Sequence, residues 1–337
     1  MAARARAAVR ELITNGVYPR RAGKCGGHPR RRLISSMTVP VVIDTDPGID
    51  DCLALLLALA SPELQVRGIV TSYGNATLSR TTRNACETVR RAGASVRVRP
   101  GADRPLSRPP EGGRSAHGPG GLGYAAVPAE EPVAADETAL AAVLAGIDVP
   151  IVLVTLGPLT NLAHALRHDE RIVRSRVRDH IAVAGSLMAP GTRTVHSESN
   201  AWADPEAMLA VAEADLGTRW VGLDVTRRFW LGAEEVAALA RGTERDRWIA
   251  DALRFSVEAH RENEGLDGCV LADPLAVAEL VQPGILKFDE AAVAISVEDG
   301  EERGRTAPDA AGLRSLVATG IHPEDAHALL AERVFGR

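Results

Sequence analysis

Short apolar runs rich in Val and Ile alternate with longer stretches of helical periodicity from Thr38 onward. Continuous or alternating apolar runs predict strands, and a spacing of three to four residues predicts helices. The predicted strands are Val39–Ile43, Val66–Thr71, Val96–Val98, Ile151–Thr155, His180–Ala184 and Trp220–Asp224. The predicted helices are Cys52–Ala60, Thr81–Gly93, Leu159–Arg167, Asp204–Glu213, Ile249–Asn263 and Leu275–Val281. This alternation is typical of βαβ units, so we expect a single α/β domain with a mainly parallel, doubly wound sheet and helices on both faces.

Composition agrees with a chain that works in water. The 337 residues are 45% hydrophobic and 25% charged, and no uncharged apolar run is long enough to cross a membrane. The four cysteines, Cys25, Cys52, Cys86 and Cys269, are widely spaced without a C-x-x-C pair. They suggest neither a disulfide framework nor a structural zinc site, and they favour a reducing cytoplasm.

The first 36 residues differ from the rest. They contain nine Lys or Arg and one acid, Glu11, whereas the whole chain has a net charge of -5. We interpret residues 1–36 as a disordered basic extension, or as a start codon placed too early since Met37 precedes the first strand, and we expect the catalytic domain at 37–337. The remainder is acidic, which disfavours nucleic acid as a partner.

The segment after the first predicted strand carries unusual chemistry. Asp44–Asp51 reads DTDPGIDD, with four carboxylates in eight residues. Such density of like charge is unfavourable unless a cation lies among the carboxylates, so the segment predicts a divalent metal bound by oxygen. The alternative is that Asp50 and Asp51 merely cap the following helix while the other two are solvated.

Neutral polar residues follow the other strands. In an open α/β sheet, ligands bind at the carboxyl ends of the strands, so these segments should meet. Their small and uncharged side chains suit a ligand rich in hydroxyl groups. The segments are Tyr73–Asn75, Leu156–Asn161, Gly185-Ser186 and Glu198–Asn200, and Asp273 opens another helix and adds a candidate carboxylate.

Taken together, these motifs resemble the inosine-uridine preferring nucleoside hydrolases, a family of calcium-dependent N-ribohydrolases. The similarity runs from about Val39 to at least Ala278, and its first motif is highly specific. The matching segments are Asp44–Asp51, Gly74-Asn75, Thr81–Ala85 (TTRNA), His117-Gly118 with Gly121-Leu122, Leu156–Asn161 (LGPLTN), Glu198–Asn200, Asp204–Ala207 (DPEA), Leu223–Thr226 (LDVT) and Asp273–Ala276 (DPLA).

The resemblance implies a cofactor and a reaction. Ca²⁺ is expected on Asp46, Asp51, the backbone carbonyl of Leu156 and Asp273. The family's mechanism has Asp46 take a proton from a calcium-bound water that attacks the anomeric carbon of a ribonucleoside, which releases ribose and free base. The residues expected to bind the ribose are Asp50, Asn75, Glu198 and Asn200.

Two positions depart from the family pattern. The family's histidine before the last metal-binding aspartate, a proposed acid for the departing base, is here Ala272. His117 and His260 are the candidate replacements, although His260 could equally be a solvated histidine on a helix face. Thr192 stands where the family has an asparagine that helps to bind the sugar.

Two other classes of function compete with this interpretation. One is a phosphohydrolase that uses Asp44 or Asp46 as nucleophile, but such enzymes need a lysine near the phosphate, and Lys24 and Lys287 lie in the extension and near the C-terminus. The other is a nucleoside- or ribose-binding protein of the same fold whose turnover is weak or lost because of Ala272. The family also leads us to expect a homodimer or homotetramer.

Overall fold

The computed structural model describes residues 38–110 and 116–336, and in these ranges nine strands form one central sheet. The strands of this sheet are β1 (Val39–Thr45), β2 (Leu64–Thr71), β3 (Val98–Pro100), β4 (Ile151–Thr155), β5 (Val177–Val183), β6 (Arg219–Val221), β9 (Leu286–Ile295), β10 (Thr306–Pro308) and β11 (Leu313–Ile321). Two further strands, β7 (Trp230–Gly232) and β8 (Gly268–Val270), pair antiparallel with each other.

The order across the sheet is β10-β9-β11-β6-β5-β4-β1-β2-β3. Every neighbouring pair from β3 to β11 is parallel, and β9 runs antiparallel to both β11 and β10. From β1, which lies inside the sheet, the chain passes through β2 to β3 at one edge. It then continues with β4, which pairs with the opposite side of β1. The reversal between β1 and β4 creates the crevice where ligands bind in such sheets.

Helices connect the strands. They are α1 (Ile49–Ala60), α2 (Leu78–Arg91), α3 (Ala139–Ala145), α4 (Thr160–Arg176), α5 (Ser199–Ala203), α6 (Pro205–Glu213), α7 (Leu223–Thr226), α8 (Ala233–Leu239), α9 (Glu244–Glu264), α10 (Asp273–Val281) and α11 (Pro323–Arg333). Helix α9 begins with a Thr243 cap and ends at Gly265 in the left-handed conformation, as capping rules lead one to expect.

Two apolar cores lie on opposite faces of the sheet. Residues Val41 and Ile43 of β1 contribute to one core, together with α1, α9 and α10, whereas Val42 contributes to the other, together with α3, α4 and α6. This alternation follows from the two-residue period of a strand. Because both faces are covered, the carboxyl ends of the strands remain as the accessible place for a ligand.

The predicted fold class is confirmed, and three details of the prediction are wrong. The strand predicted at Trp220–Asp224 ends at Val221, and residues from Leu223 form α7. The third strand is Val98–Pro100 rather than Val96–Val98. The strands β9, β10 and β11 were not predicted, because charged residues interrupt the apolar runs of β9 and β11 and because β10 has only three residues.

The expected basic extension, residues 1–36, lies outside the described residues. Among those that are described, no helix is both long and apolar enough to span a membrane.

Candidate active site

The site forms where β1, β2, β4 and β5 end. The turn Asp44–Asp51, here called the acidic turn, leads from β1 into α1 beside the segment that follows β4. Asp44, Asp46 and Asp51 are buried, and Asp50 is almost so. The sequence folds this way because β1 ends in a buried Thr45 and α1 starts at Ile49, which leaves Pro47 and Gly48 to turn the chain.

Asp51 is held by three hydrogen bonds. Thr45 Oγ1 donates to Asp51 Oδ1 at 2.5 Å, Gly48 N donates to Oδ2 at 2.9 Å, and Asn75 Nδ2 donates to Oδ2 at 3.0 Å. These donors fix the carboxylate in one orientation. Asn75, predicted to contact the ribose, therefore also ties the segment after β2 to the acidic turn.

Asp46 is enclosed by two glycines. A β-carbon at Gly74 or at Gly157 would collide with the Asp46 carboxylate, and Gly74 has a φ of +149° that other residues rarely adopt. The backbone N–H of Asn75 donates to Asp46 Oδ2 at 2.7 Å. Asp46 Oδ1 is buried and has no hydrogen-bond partner among the described residues.

Asp273 at the start of α10 completes a group of carboxylates. One carboxylate oxygen from each of Asp50, Asp51 and Asp273 can be chosen so that all three lie within 4.8 Å of one another. Asp50 Oδ2 accepts from the N–H of Ala272 at 3.1 Å, while Asp50 Oδ1 is a second buried oxygen without a partner in the described chain. The structure thus brings Asp46, Asp50, Asp51 and Asp273 into one cluster.

Burial and mutual repulsion raise the pKa of these acids. Burial, followed by the charge of Asp51, raises the pKa of Asp46 well above its usual value. Burial and the charges of Asp50, Asp51 and Asp46 do the same to the pKa of Asp273, and burial raises the pKa of Asp51. A cluster whose ionised form is so unfavourable has a strong tendency to gain positive charge, from protons or from a cation.

Asp44 differs from the other three acids of the turn. Its Oδ1 accepts from Asn161 Nδ2 at 2.7 Å, and burial raises its pKa to about 7. Asn161 also donates to Thr71 O and accepts from Ala102 N, so one amide joins the ends of β1, β2, β3 and β4. Asn161 received no separate role from the sequence, and its place in the LGPLTN segment between β4 and α4 is the signal that could have indicated one.

Glu198 and Asn200 lie at the start of α5. Glu198 caps this helix by accepting from the N–H groups of Asn200 and Ala201, and it also accepts from Gly185 N at 3.0 Å. Burial raises the pKa of Glu198, and those N–H groups oppose the rise. Asn200 Nδ2 donates to Leu156 O at 2.7 Å, so this predicted ribose contact and the predicted metal-binding carbonyl are neighbours.

Thr192 belongs to the long connection between β5 and α5. Its Oγ1 accepts from Ser199 N at 3.1 Å and lies 2.9 Å from Ser199 Oγ. The threonine is exposed but tied to the residue that follows Glu198. The structure thus brings Thr192 to the same end of the site as Glu198 and Asn200.

His117 lies against the acidic turn. Its Nδ1 accepts a hydrogen bond from the backbone N–H of Ile49 at 3.0 Å and is 3.7 Å from Asp50 Oδ1. A ring nitrogen that accepts from a backbone N–H carries no proton, so the neutral ring has its proton on Nε2. In this geometry the ring can donate a hydrogen bond through Nε2.

His260 has the opposite arrangement. Its Nδ1 lies 2.8 Å from the carbonyl oxygen of Ser256, one turn earlier on α9. Because a carbonyl only accepts, Nδ1 carries the proton and Nε2 is the atom that can take up a second one. Helix α9 borders the loop that carries His117, since a β-carbon at Gly118 would lie 3.1 Å from Phe255.

Asn84 was part of a motif and received no role from the sequence. It is fully buried, and its Nδ2 donates to Pro47 O at 2.9 Å and to Gly120 O at 3.0 Å. The amide thereby joins α2 to the acidic turn and to the His117 loop. Buried amides with every donor used are typical of residues that hold a site in place.

Comparisons with known proteins identify one family. A family model described as inosine-uridine preferring nucleoside hydrolase matches residues 41–331. Pyrimidine-specific ribonucleoside hydrolase RihA of Citrobacter koseri is 34% identical over 281 residues, which cover 81% of this chain and 89% of the relative. The enzyme of the same name from Escherichia coli is 32% identical with the same coverage.

Solved structures give the same result. A plant nucleoside hydrolase, PpNRh1, superposes with a TM-score of 0.82 and 28% identity over 89% of this chain and 100% of its own. A purine-preferring ribonucleoside hydrolase from Gardnerella vaginalis has a TM-score of 0.78 and 27% identity, with 88% and 98% covered.

Fold and site define the class: an α/β enzyme with a buried carboxylate cluster at the switch point of a parallel sheet. The comparisons identify it further. The chain belongs to the inosine-uridine preferring nucleoside hydrolase family, and it is a glycosidase that acts on N-glycosyl compounds.

Proposed function

We propose that this protein hydrolyses ribonucleosides to ribose and free base with Ca²⁺ as cofactor. The observation that carries the proposal is a pair of buried carboxylate oxygens in the cluster of four acids, Asp46 Oδ1 and Asp50 Oδ1, for which the described residues provide no hydrogen-bond partner. Buried polar atoms are normally satisfied, so their presence here supports a ligand for them.

The donor set fits calcium. Carboxylates of Asp46, Asp51 and Asp273 and the carbonyl of Leu156 would hold the ion. All of these ligands are oxygens, which hard cations prefer, and the fixed orientation of Asp51 agrees with a preformed site. When bound, the ion supplies positive charge that lowers the pKa of a coordinated water and stabilises the ionised carboxylates.

The chain's own residues then divide the remaining work. Asp46 accepts the proton of the attacking water, because one of its oxygens is free of protein donors and its position is fixed by Gly74 and Gly157. Asp50, Asn75, Glu198, Asn200 and Thr192 bind the ribose. Firm hydrogen bonds to the sugar hydroxyls are what an oxocarbenium-like transition state requires.

For the departing base we propose His260 as the proton donor. With Nδ1–H bonded to Ser256 O, a protonated His260 carries its additional proton on Nε2 and can release it there. His117 accepts at Nδ1 from Ile49 N, which favours a neutral ring that donates through Nε2, so we propose that it orients the substrate.

Pyrimidine ribonucleosides are the first substrates to test, since the RihA relatives are named as pyrimidine-specific. We further propose that the enzyme works in the cytoplasm as a homodimer or homotetramer, without nucleic acid or membrane as a partner. Cys52, Cys86 and Cys269 are free thiols, which agrees with a reducing compartment.

The test is release of base and reducing sugar from purine and pyrimidine ribonucleosides by the full-length chain, with calcium and after chelation. We expect release that chelation abolishes and added calcium restores, with uridine or cytidine preferred. Calcium-dependent binding of nucleosides without release would instead support the binding-protein alternative. Release that persists at full rate after chelation would overturn the cofactor assignment.

A further inference from the structure

The connection from β5 to α5, residues 184–198, carries Thr192 and Glu198 and contains no regular helix or strand. We call it the β5–α5 loop. A connection of about 15 residues without secondary structure needs specific contacts if it is to hold functional groups in place. The residues that hold the β5–α5 loop therefore also determine the positions of Thr192 and Glu198.

Asp224 supplies them from the first turn of α7. Its Oδ2 accepts from Leu187 N at 2.7 Å, and its Oδ1 accepts from Met188 N at 2.7 Å and from Ala189 N at 3.1 Å. Three consecutive backbone N–H groups thus converge on one carboxylate. Hydrogen bonds to an ionised acceptor are the stronger kind, so this is the main fastening of residues 187–189.

The fastening continues to the ribose end of the site. Gly185, two residues before Leu187, donates through its N–H to Glu198 Oε2 at 3.0 Å and accepts through its carbonyl from Leu223 N at 3.0 Å. Asp224 is the residue after Leu223. The two ends of the loop, at Gly185 and Glu198, are therefore connected to each other and to the start of α7.

The C-terminal half of the loop, residues 192–198, is held by different contacts. Thr192 Oγ1 accepts a hydrogen bond from Ser199 N, and Thr192 N donates one to Ser197 O at 3.0 Å. Residues 192–199 form a unit around the start of α5, whereas residues 187–189 depend on Asp224. Loss of the Asp224 carboxylate would therefore free residues 187–189, which lie between Gly185, the hydrogen-bond donor to Glu198, and Thr192.

We propose that Asp224 is a positioning residue that orders the β5–α5 loop and so sets how tightly the ribose is held. This inference rests on the proposed function, in which Glu198 and Thr192 bind the sugar. Asp224 itself need not touch the substrate. An enzyme without this carboxylate should bind ribonucleosides more weakly while the chemistry at Asp46 continues.

The test compares Asp224→Asn with the matched control Asp289→Asn, an exposed aspartate on β9. Asparagine offers one acceptor oxygen, and its NH₂ group would face the loop's donors. We expect KM to rise by about tenfold and kcat to change by less than about threefold, as for loss of binding shared by ground and transition states. The control should match the wild type.

Two further readouts separate positioning from general damage. Hydrogen exchange at the amides of residues 187–189 should be at least about tenfold faster in Asp224→Asn, and Asp224→Glu, which retains both acceptors, should recover part of the KM. Combined with Thr192→Ala, Asp224→Asn should add little further effect, because both changes act through one loop.

Unchanged KM together with unchanged exchange at 187–189 would overturn the inference. A loss confined to kcat would also overturn it, since it would place Asp224 in the chemistry rather than in the loop. If the wild-type chain hydrolyses no ribonucleoside, the proposed function fails, and nucleoside affinity with the exchange measurement still tests whether Asp224 orders the binding loop.

Discussion

The carboxylate of Asp46 is closely confined by the backbone around it. Glycines lie on two sides of its carboxylate, and one oxygen is held by Asn75 N. Its free oxygen is thus presented in one direction, and the proposed role as proton acceptor depends on that direction. A neutral isostere at this position preserves shape and removes the proton acceptor.

Asp46→Asn should lower kcat by at least about 10²-fold, because general-base contributions are typically of that size. Ribonucleoside affinity should survive in part at saturating calcium, since Asp50, Glu198 and Asn200 remain. Steady-state kinetics and equilibrium binding measure the two quantities. Wild-type kcat in this variant would show that Asp46 is not the base.

His260→Gln should lower kcat on uridine by about 10²-fold and leave a nitrophenyl riboside almost unaffected, because nitrophenolate departs without a proton. His117→Gln should reduce both substrates alike if that ring only orients the site. The measurement is kcat of each variant on uridine and on the nitrophenyl riboside. Equal losses on both substrates in His260→Gln would contradict the role of acid.

Only part of the candidate site could be predicted from the sequence. The acidic turn could be singled out from the sequence, because four carboxylates in eight residues repel one another unless positive charge lies among them. Which nitrogen of His117 carries the proton depends on a backbone partner that only folding brings close, whereas the partner of His260, Ser256 O, lies one turn earlier on the same helix. Ile49 is 68 positions from His117, and no local pattern indicates that pair.

At the scale of elements, the site is formed by segments after strands, and buried amides join them. Asn84 connects α2 with two such segments, and Asn161 connects four strand ends. Strands and turns were predictable from periodicity. The cross-connections were not, because they link residues far apart in the chain.

The misassigned strand at Trp220–Asp224 shows a limit of periodicity. Apolar residues continue at Leu223 and Val225, but the strand ends at Val221 and Gly222 caps α7. A short apolar helix and a buried strand have the same composition. The error also hid a functional contact. Asp224 reaches the β5–α5 loop from the first turn of α7, and not from the end of a strand.

Asn84→Ala should destabilise the fold by about 1–3 kcal/mol, since the buried carbonyl of Pro47 and the partly buried carbonyl of Gly120 would each lose a donor, and should also lower kcat/KM. Urea unfolding and kinetics measure the two effects. The exposed Asn263→Ala on α9 is the control and should leave both nearly unchanged. Reduced stability with wild-type kcat/KM would show that Asn84 supports the fold but not the site.

For the whole molecule, His180 on β5 links three parallel strands through the core. It lies 3.0 Å from Thr155 Oγ1 and 2.9 Å from Thr218 Oγ1. Burial, and then the charge of Arg219, lowers its pKa from 6.5 to about 3. Between these two pKa values the unfolded chain binds a proton that the folded chain does not, so stability falls as pH falls.

His180→Gln should remove this contribution. Between about pH 7 and about pH 5, the wild type should lose about 2 kcal/mol of unfolding free energy more than the variant. Urea unfolding at both pH values measures the difference, and His322→Gln, an exposed histidine, is the control. Parallel pH dependence in wild type and His180→Gln would show that the buried ring already binds its proton.

The fold as a whole was the most predictable level. Regular alternation of strands and helices forces a doubly wound sheet, and the order of its strands places the acidic turn at the switch point. The antiparallel side, β9 and β10, was not predicted because Asp289 and Glu290 interrupt the apolar run of β9 and because β10 has only three residues.

The two glycines beside Asp46 have an evolutionary consequence. Gly74 and Gly157 contribute no functional atom, yet a side chain at either would displace the carboxylate between them. Natural variation at these two positions should therefore be as restricted as at Asp46 itself. New substrate preferences in descendants of this protein should then arise at exposed positions around the site, such as Thr192, rather than at Gly74 or Gly157.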